Sequence, residues 1–564
     1  MTADTRNGQR PAKSTHGSGD SGDRRAPAAG HEVERKYAAG PGTRLPDLTE
    51  VKGVARSESR GVTELDAVYY DTADLRLAAA GITLRRRTGG ADAGWHLKLP
   101  VAPDTREELT VPLDAAPGPA EAPGAAGATG PAGSPEASGA AGPPELSAEV
   151  PGALAALVRA RTRGAPLVPV VRLLSSRDLR RLSGRKGGPR AELSTDTVVA
   201  ERLTGGRRTG KGRPTAEWTE IEVELARDAD PALLGALDKR LREAGLRPAA
   251  APSKLARALT ETGGGPAARP EPADPDTAGE ELLRYLRAQA DALLALDVAV
   301  RRELPDAVHK MRVATRRLRS ALRSYRKLIG GGDRDAVVRL RGELKWLAGE
   351  LGVDRDQEVL AERLTAGLDA VPVELLLGPV RARLRIWDSG HRAEARARTE
   401  AALDSDRYLA LLDAVEALLA RPPLRPAAAR APGDVLPRVL RKEHARLTAR
   451  VERALALAPG PDRDVAMHEA RKAAKRARYT AEAARPALGK PAKKYAKRVK
   501  LLQRELGDHQ DSVVARETLR ELAVRAHAAG ETAFVWGLLY GHEEAAAAER
   551  EHRLPEVWAA TGAP

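Results

Sequence analysis

The chain of 564 residues contains no cysteine. That excludes disulfides and thiolate metal sites, leaves oxygen and imidazole as the protein ligands for any metal, and fits an intracellular, cytoplasmic setting. Aromatic residues make up 3% of the chain, with a single Phe, which argues against base stacking and so against nucleic acid as a partner. No run approaches the ~20 apolar residues of a membrane span, and the N-terminus has no hydrophobic signal core, so no membrane association is expected.

Positive charge is abundant. Lys and Arg number 93 against 78 Asp and Glu, a net charge of +15, with a pI near 10.0. An anionic substrate or partner follows, and the length allows two or more domains. The basic residues are densest in residues 307–327, AVHKMRVATRRLRSALRSYRK, which hold eight Lys or Arg and no acid. On a helix, His309, Arg312, Arg316, Arg319 and Arg323 fall within an arc of about 80°. Met311, Ala314, Leu318, Leu322 and Tyr325 fall opposite and can face a core. Residues 467–480, MHEARKAAKRARYT, repeat the pattern with His468, Arg471, Lys475 and Arg478. Each basic helix is followed by a second shared phrase, LKWLAGELGVDRDQEV from Leu344 and VKLLQRELGDHQDSVV from Val499. Both carry Glu-Leu-Gly and an Asp four residues past the Gly, Asp356 and Asp511. This is an internal duplication. A solvated face is the plain reading of a basic helix, but like charges one turn apart repel and few acids are present to pair with them. A polyanion lying across both copies accounts for the rows.

The N-terminal half reads differently. Residues 1–27 lack periodicity and are expected to form a disordered tail. Strands are expected at 31–36, 65–71, 75–77, 82–87, 95–99, 107–113, 190–193, 197–203 and 217–225, with helices near 149–163 and 231–244. The charged faces are sorted by strand. Glu32 and Glu34 with Lys36, and later Glu220, Glu222 and Glu224, lie on one face of their strands; Arg85 with Arg87, and His96 with Lys98, lie on theirs. Inside a closed barrel these would face each other across a polar tunnel. Clustered carboxylates call for a cation, and hard oxygen donors suit Mg²⁺ or Mn²⁺. Facing Arg and Lys suit phosphate oxygens.

The order ExExK (Glu32 to Lys36), YYDT (69–72), GITLRRR (81–87), WHLKLP (95–100), EIEVEL (220–225) and SKL (253–255) resembles the CYTH family, the triphosphate tunnel metalloenzymes, over residues 28–262. The resemblance implies an antiparallel β-barrel tunnel with Glu32, Glu34, Glu220, Glu222 and Glu224 as candidate metal ligands. Either Asp196 or Glu192 adds an acid. Lys36, Arg85, Arg87, Lys98 and Lys254 would bind triphosphate, together with Arg177 or Arg172. Glu32, Glu34 and Lys36 are the expected catalytic set around a metal-oriented water. Residues 115–144 read as a disordered Pro, Ala and Gly insertion, and 205–214 as a basic hairpin tip.

Residues 263–276 read as a linker, and everything beyond reads helical to about 560. HKMR at 309–312 with TRRLR at 315–319, LGVDRD at 351–356, HEARKAAKRARY at 468–479 and LGDHQD at 506–511 resemble the CHAD family, the conserved-histidine α-helical domain. The match spans residues 277–558 in two repeats, about 277–420 and 433–558. The resemblance implies a duplicated helical bundle whose basic groove binds inorganic polyphosphate. Lys493, Lys497, Lys500 and Arg504 form a further basic arc that extends the track. The whole is expected to be an α+β multidomain protein that hydrolyses inorganic triphosphate or polyphosphate ends with Mg²⁺ or Mn²⁺. Its helical half would capture the chain, and association with polyphosphate granules is a further expectation. The alternatives are a polyphosphate-binding protein without turnover, and a nucleotide triphosphatase or adenylate cyclase.

Overall fold

The computed structural model describes residues 27–40, 42–102, 104–114, 148–204, 213–266, 275–332 and 334–564. The tail at 1–26, the insertion at 115–144, the hairpin tip at 205–212 and most of the linker lie outside the described residues. The chain forms two compact units. One comprises Met1–Ala155 with Leu167–Pro266, the other Ala156–Pro166 with Ala267–Pro564.

In the first unit eight strands close into an antiparallel barrel. They are β1 (Ala28–Ala39), β2 (Arg56–Asp71), β3 (Thr83–Thr88), β4 (Gly94–Ala102), β5 (Thr105–Val111), β6 (Val168–Ser183), β7 (Pro189–Arg202) and β8 (Thr215–Leu225). Their order is β5-β4-β3-β2-β6-β7-β8-β1, and β1 closes the circle by pairing with β5. The first half of β1 pairs with β5 and the second with β8, so Glu34 stands opposite Glu224 and Lys36 opposite Glu222. Alternation then dictates the faces. Glu32, Glu34 and Lys36 point inward. Val33 and Tyr37 point outward into an apolar layer with Leu233, Leu234, Leu237 and Leu241 of α3 (Ala232–Glu243). Burying a side chain such as Tyr37 contributes roughly 1.5–3 kcal/mol, so a one-residue slip of β1 is strongly opposed.

The barrel interior changes character along its length. The inward rows of β6, β7 and β8 pass from charged residues to Leu173 and Val171, to Val198 and Ala200, and to Trp218. Leu255, Ala258 and Leu259 of the helix α4 (Lys254–Glu261) pack onto that apolar end. The Ser253 side chain caps α4, accepting from the Ala256 N–H at 3.1 Å, so Lys254 is held at the start of the helix.

Two sequence expectations change. Residues 75–77 are not a strand: Arg76–Ala79 is a short helix, α1, whose start is held by the Asp71 carboxylate accepting from the Leu77 and Ala78 N–H groups. The strand β6 has no counterpart among the expected strands, and the expected strands at 190–193 and 197–203 are one strand, β7. The helix expected near 149–163 is α2 (Gly152–Thr162).

The second unit is helical: α5 (Ala278–Arg301), α6 (Ala307–Ser324), α7 (Arg334–Asp369), α8 (Val380–Asp404), α9 (Asp406–Ala420), α10 (Pro432–Ala456), α11 (Pro461–Leu488), α12 (Lys490–Ala528) and α13 (Phe534–Thr561). Thr277 and Glu280 form a reciprocal capping box at the start of α5. The histidine helices of the two repeats are α6 and α11; the Glu-Leu-Gly phrases lie on α7 and α12. The apolar stripe of α6 (Met311, Ala314, Leu318, Leu322) and Tyr325 just beyond it are all buried, and one core runs from them through Leu344, Leu347 and Leu351 of α7 to Ala470, Ala474 and Ala477 of α11. The small Ala stripe of α11 lets α6 and α11 approach closely, which brings the two basic rows together. Among the described residues no helix is long and apolar enough to cross a membrane.

Candidate functional site

The tunnel is a lattice of opposite charges. Deepest, next to the apolar end, Lys254 Nζ lies 2.7 Å from Glu222 Oε1 and 2.9 Å from both Asp196 Oδ2 and Glu220 Oε1. Arg177 donates both arms of its guanidinium to Asp196, each at 2.7 Å, and reaches Glu222 at 3.3 Å. Trp218 Nε1 donates to Glu220 at 2.7 Å. Burial works against charging Lys254, but Glu222, Asp196 and Glu220 outweigh it and raise its pKa. The same cations hold Glu222 well below the usual carboxylate range.

Nearer the charged mouth, Lys36 pairs with Glu222 and with Glu34 at 3.0 Å, and Lys98 pairs with Glu32. Lys36, followed by Glu222 and Lys98, modulates a Glu34 carboxyl that burial would raise; the lysines prevail and its pKa falls. Glu32 is different. Burial dominates, Glu108 adds to it, and the carboxyl is pushed up to about 7 despite Lys98. Arg85 donates to the Tyr69 hydroxyl at 3.3 Å and comes within 4.0 Å of Glu108, while Arg87 pairs with Asp92. Glu224 stands at the exposed end of the β8 row.

Geometry separates the paired candidates. Asp196 is fully buried in the tunnel; Glu192 pairs with Arg181 at 3.4 Å where both are exposed to solvent. Arg177 lies in the tunnel; Arg172 forms a separate fork with Asp66 at 3.0 and 2.6 Å. Two tunnel residues, Glu108 and Arg106, lie outside the sequence expectation. Glu108 lies 2.9 Å from His96 Nδ1 and 3.5 Å from Lys98, and Arg106 comes within 3.9 Å of Glu34. The signal was present in TREELTV, but neighbouring Glu107 and Glu108 look alike until the β4–β5 register sets Lys98 opposite Glu108.

In the helical unit the two rows converge. Arg312, Arg316, Arg471 and Lys475 lie within electrostatic range of one another, with Asp511 beside them. Burial, followed by Arg316, Arg471 and Arg312, pushes Lys475 down to about 6. Arg312 forms a fork with Asp356 at 2.7 and 3.0 Å, and Arg471 reaches Asp511 at 3.4 Å, so the repeated Asp serves the same partner in both copies. Arg478 pairs with Glu482. Among the described residues Arg316, Arg319, Arg323 and Lys475 have no carboxylate within ion-pair distance. His309 and His468 are partly buried, and each is drawn below its ordinary pKa by burial and then by Arg355 or Lys472; His468 also bonds Gln510. Lys497 and Lys500 stand exposed on α12, and among the described residues no ion pair or hydrogen bond ties them to the cluster.

The chain matches the CYTH domain over residues 30–258 and the CHAD domain over residues 284–520. It is 39% identical over 540 residues to an uncharacterized protein of Mycobacterium tuberculosis (strain CDC 1551), covering 93% of this chain and 94% of that one. The chain belongs to the family that joins a CYTH domain to a CHAD domain. Among solved structures, this CYTH–CHAD protein is 26% identical to PptA from Streptomyces chartreusis, with 50% of this chain and 99% of that one covered and a TM-score of 0.42. It is 26% identical to the CHAD domain from the plant Ricinus communis, with 52% and 95% covered and a TM-score of 0.41. Membership of this CYTH–CHAD protein in the family supports a triphosphate-related activity for its tunnel.

One further group of ligand-type side chains comes together in the helical unit, where His509 Nε2 lies 3.2 Å from both Asp464 and Glu551. Arg516 pairs with Asp464 at 3.2 Å and Arg463 with Glu551 at 3.1 Å. Both carboxylates are therefore neutralised by protein cations, as suits a buried structural network.

Proposed function

We propose that the tunnel hydrolyses inorganic triphosphate, or the end of a longer polyphosphate, and that the α6–α11 rows bind the polyphosphate chain. The supporting observation is the sorting of charge inside the barrel. Lys254 and Arg177 are anchored from behind by Asp196 and Glu220, so they are preorganised to meet phosphate oxygens without rearranging. Lys36, Lys98, Arg85 and Arg87 line the approach and can exchange their present carboxylate partners for phosphate. Glu32, Glu34 and Glu224, with Glu108, supply hard oxygen donors on adjacent strands. Burial raises the Glu32 carboxyl, and a divalent cation beside it would favour the ionised form, which fits Mg²⁺ or Mn²⁺. When bound, the metal polarises a phosphoryl oxygen and lowers the pKa of a water. The protein's share is to grip the phosphates, hold them in line and neutralise charge on the leaving group.

In the helical unit, four converging cations, two of which form no ion pair among the described residues, suit a repeating polyanion better than an isolated ion. Joining both units in one chain raises the concentration of polyphosphate near the tunnel.

The test is phosphate release from tripolyphosphate, ATP and long-chain polyphosphate with Mg²⁺ or Mn²⁺, beside Glu32→Ala and Glu34→Ala. Turnover of tripolyphosphate that disappears in both variants is expected. Preference for ATP would make the tunnel a nucleotide enzyme, and binding without any turnover would remove the catalytic reading.

A further inference from the structure

A second basic region lies where α6 ends. A cleft of about 510 Å³ is lined by Arg323 and Arg326, by Arg446, Arg450 and Arg453 of α10, and by Arg476 of α11, with Ala449 between them. Arg446, Arg450 and Arg453 follow the i, i+4, i+7 spacing, so one face of α10 is committed to the cleft. Among the described residues no carboxylate lines it. The acid beneath, Glu443, is buried, pairs with Arg446 and lies 3.8 Å from Arg476. It braces two of the guanidinium groups and leaves the others unneutralised. Burial, followed by the charge of Arg323, already lowers the pKa of Arg476, a sign that the cations there oppose one another. Such crowding costs stability unless a ligand offsets it.

Resting on the reading of the α6–α11 cluster as a polyphosphate site, we propose that this cleft binds a distal stretch of the same chain. Three observations carry it. The lining cations are all arginine, whose planar fork takes two phosphate oxygens at once, where a lysine offers only a point charge. Six forks around one cleft are more than a single phosphate can engage, and match several consecutive ones. The cleft also continues the central row: from Arg316 to Arg323 is about 10 Å of helix, with Arg319 on the same face between them. A chain held at Arg316 and Lys475 therefore meets a cation at each turn of α6 until it enters the cleft. A short chain held at the centre does not reach it. The α10 arginines would thus set a preference for length.

The experiment uses the full chain. Arg450 and Arg453 are exposed and form no ion pair among the described residues, so the double variant R450Q/R453Q should keep its fold. Its affinity for long-chain polyphosphate should fall roughly tenfold, in keeping with two solvent-exposed charge contacts. The dependence of affinity on chain length should flatten. R450K/R453K, which keeps charge without the fork, should recover part of the loss. Arg316→Gln should weaken binding at every length. Unchanged long-chain affinity in R450Q/R453Q, or an equal loss at all lengths, would overturn the proposal while leaving the central site intact. A wild-type chain that binds no polyphosphate would remove the underlying reading and the proposal with it. Inositol hexakisphosphate tests a compact source of the same chemistry. If R450Q/R453Q loses only that ligand, the cleft is a separate site and the proposal falls.

Discussion

Arg312 reaches from α6 to Gly352 on α7, where the side chain that this glycine lacks would stand 3.2 Å from the guanidinium. The second repeat places Arg471 against Gly507 in the same way, but at 3.6 Å, an ordinary contact distance. The Gly of each Glu-Leu-Gly phrase is thus the floor on which the arginine lies, and the Asp one turn later holds the guanidinium in place. The two floors should respond differently to a methyl group. Replacing a helical glycine by alanine gains up to about 1 kcal/mol of helix stability. Gly507→Ala should raise the melting temperature and leave polyphosphate affinity unchanged. Gly352→Ala should displace Arg312 from Asp356 and weaken binding severalfold. Thermal unfolding and titration of both variants check this; equal affinities would show that the contact does not position Arg312.

Lys475 should make polyphosphate binding take up protons. With a pKa near 6 in the free protein, it is largely neutral at pH 7.5. A polyanion favours the ammonium form and raises that pKa, so binding draws a proton from solution and affinity rises as pH falls from 8 toward 6. Calorimetry in buffers of different ionisation enthalpy should report uptake approaching one proton, abolished in Lys475→Met. The same residue affects stability with the opposite dependence. The unfolded chain binds the proton more tightly, so Lys475 disfavours folding most below pH 6 and progressively less as pH rises toward 10.5. Lys475→Met should therefore stabilise the helical unit most under mildly acid conditions. His309 and His468 titrate below their ordinary range and contribute little to the response above pH 7.

Arg177 and Arg172 separate activity from architecture. Arg177→Ala removes a preorganised cation from the tunnel and should lower kcat/KM for tripolyphosphate by on the order of 100-fold, about 2.7 kcal/mol of transition-state stabilisation. Arg172→Ala breaks only the fork to Asp66 and should stay within about threefold. Steady-state kinetics decide, and equal losses would place Arg172 in the reaction as well.

Glu108 should matter chiefly through the metal. Glu108→Gln keeps the shape and removes one charge beside Glu32. The Mg²⁺ or Mn²⁺ concentration for half-maximal turnover should rise at least tenfold, with a smaller change in kcat at saturation. Full removal of metal with a chelator should abolish turnover in both proteins. An unchanged metal requirement in Glu108→Gln would leave the donor set to Glu32, Glu34 and Glu224.

Much of this arrangement was legible in the chain. Alternation in HEVERKY and EWTEIEVEL put the right residues on one face, and the duplicated histidine rows marked the helices that meet. Other parts depended on packing. The strand β6 hid because VPVVRLLSSRDLRRLS has neither clean alternation nor turn residues, and its inward row changes from apolar to charged within one strand. Asp196 and Glu192 differ by four residues and share a face, so only the depth of each in the barrel separates them. Arg446, Arg450 and Arg453 had a legible period, but nothing local announces that Arg323 and Arg476 stand across from them. The downward shift of Lys475 arises from burial and from Arg316 and Arg312, far from it in sequence, together with Arg471 one turn away.

The helix α4, with Trp218 beneath it, turns the barrel into a blind alley. Whatever enters past Glu32 and Lys98 must back out by the same door. An interior stretch of a long chain has no route through, so only a terminus can reach Lys254. On the proposed function each departing product would share its exit with the next arrival, which sets up traffic at the mouth: accumulated phosphate should slow turnover by blocking entry.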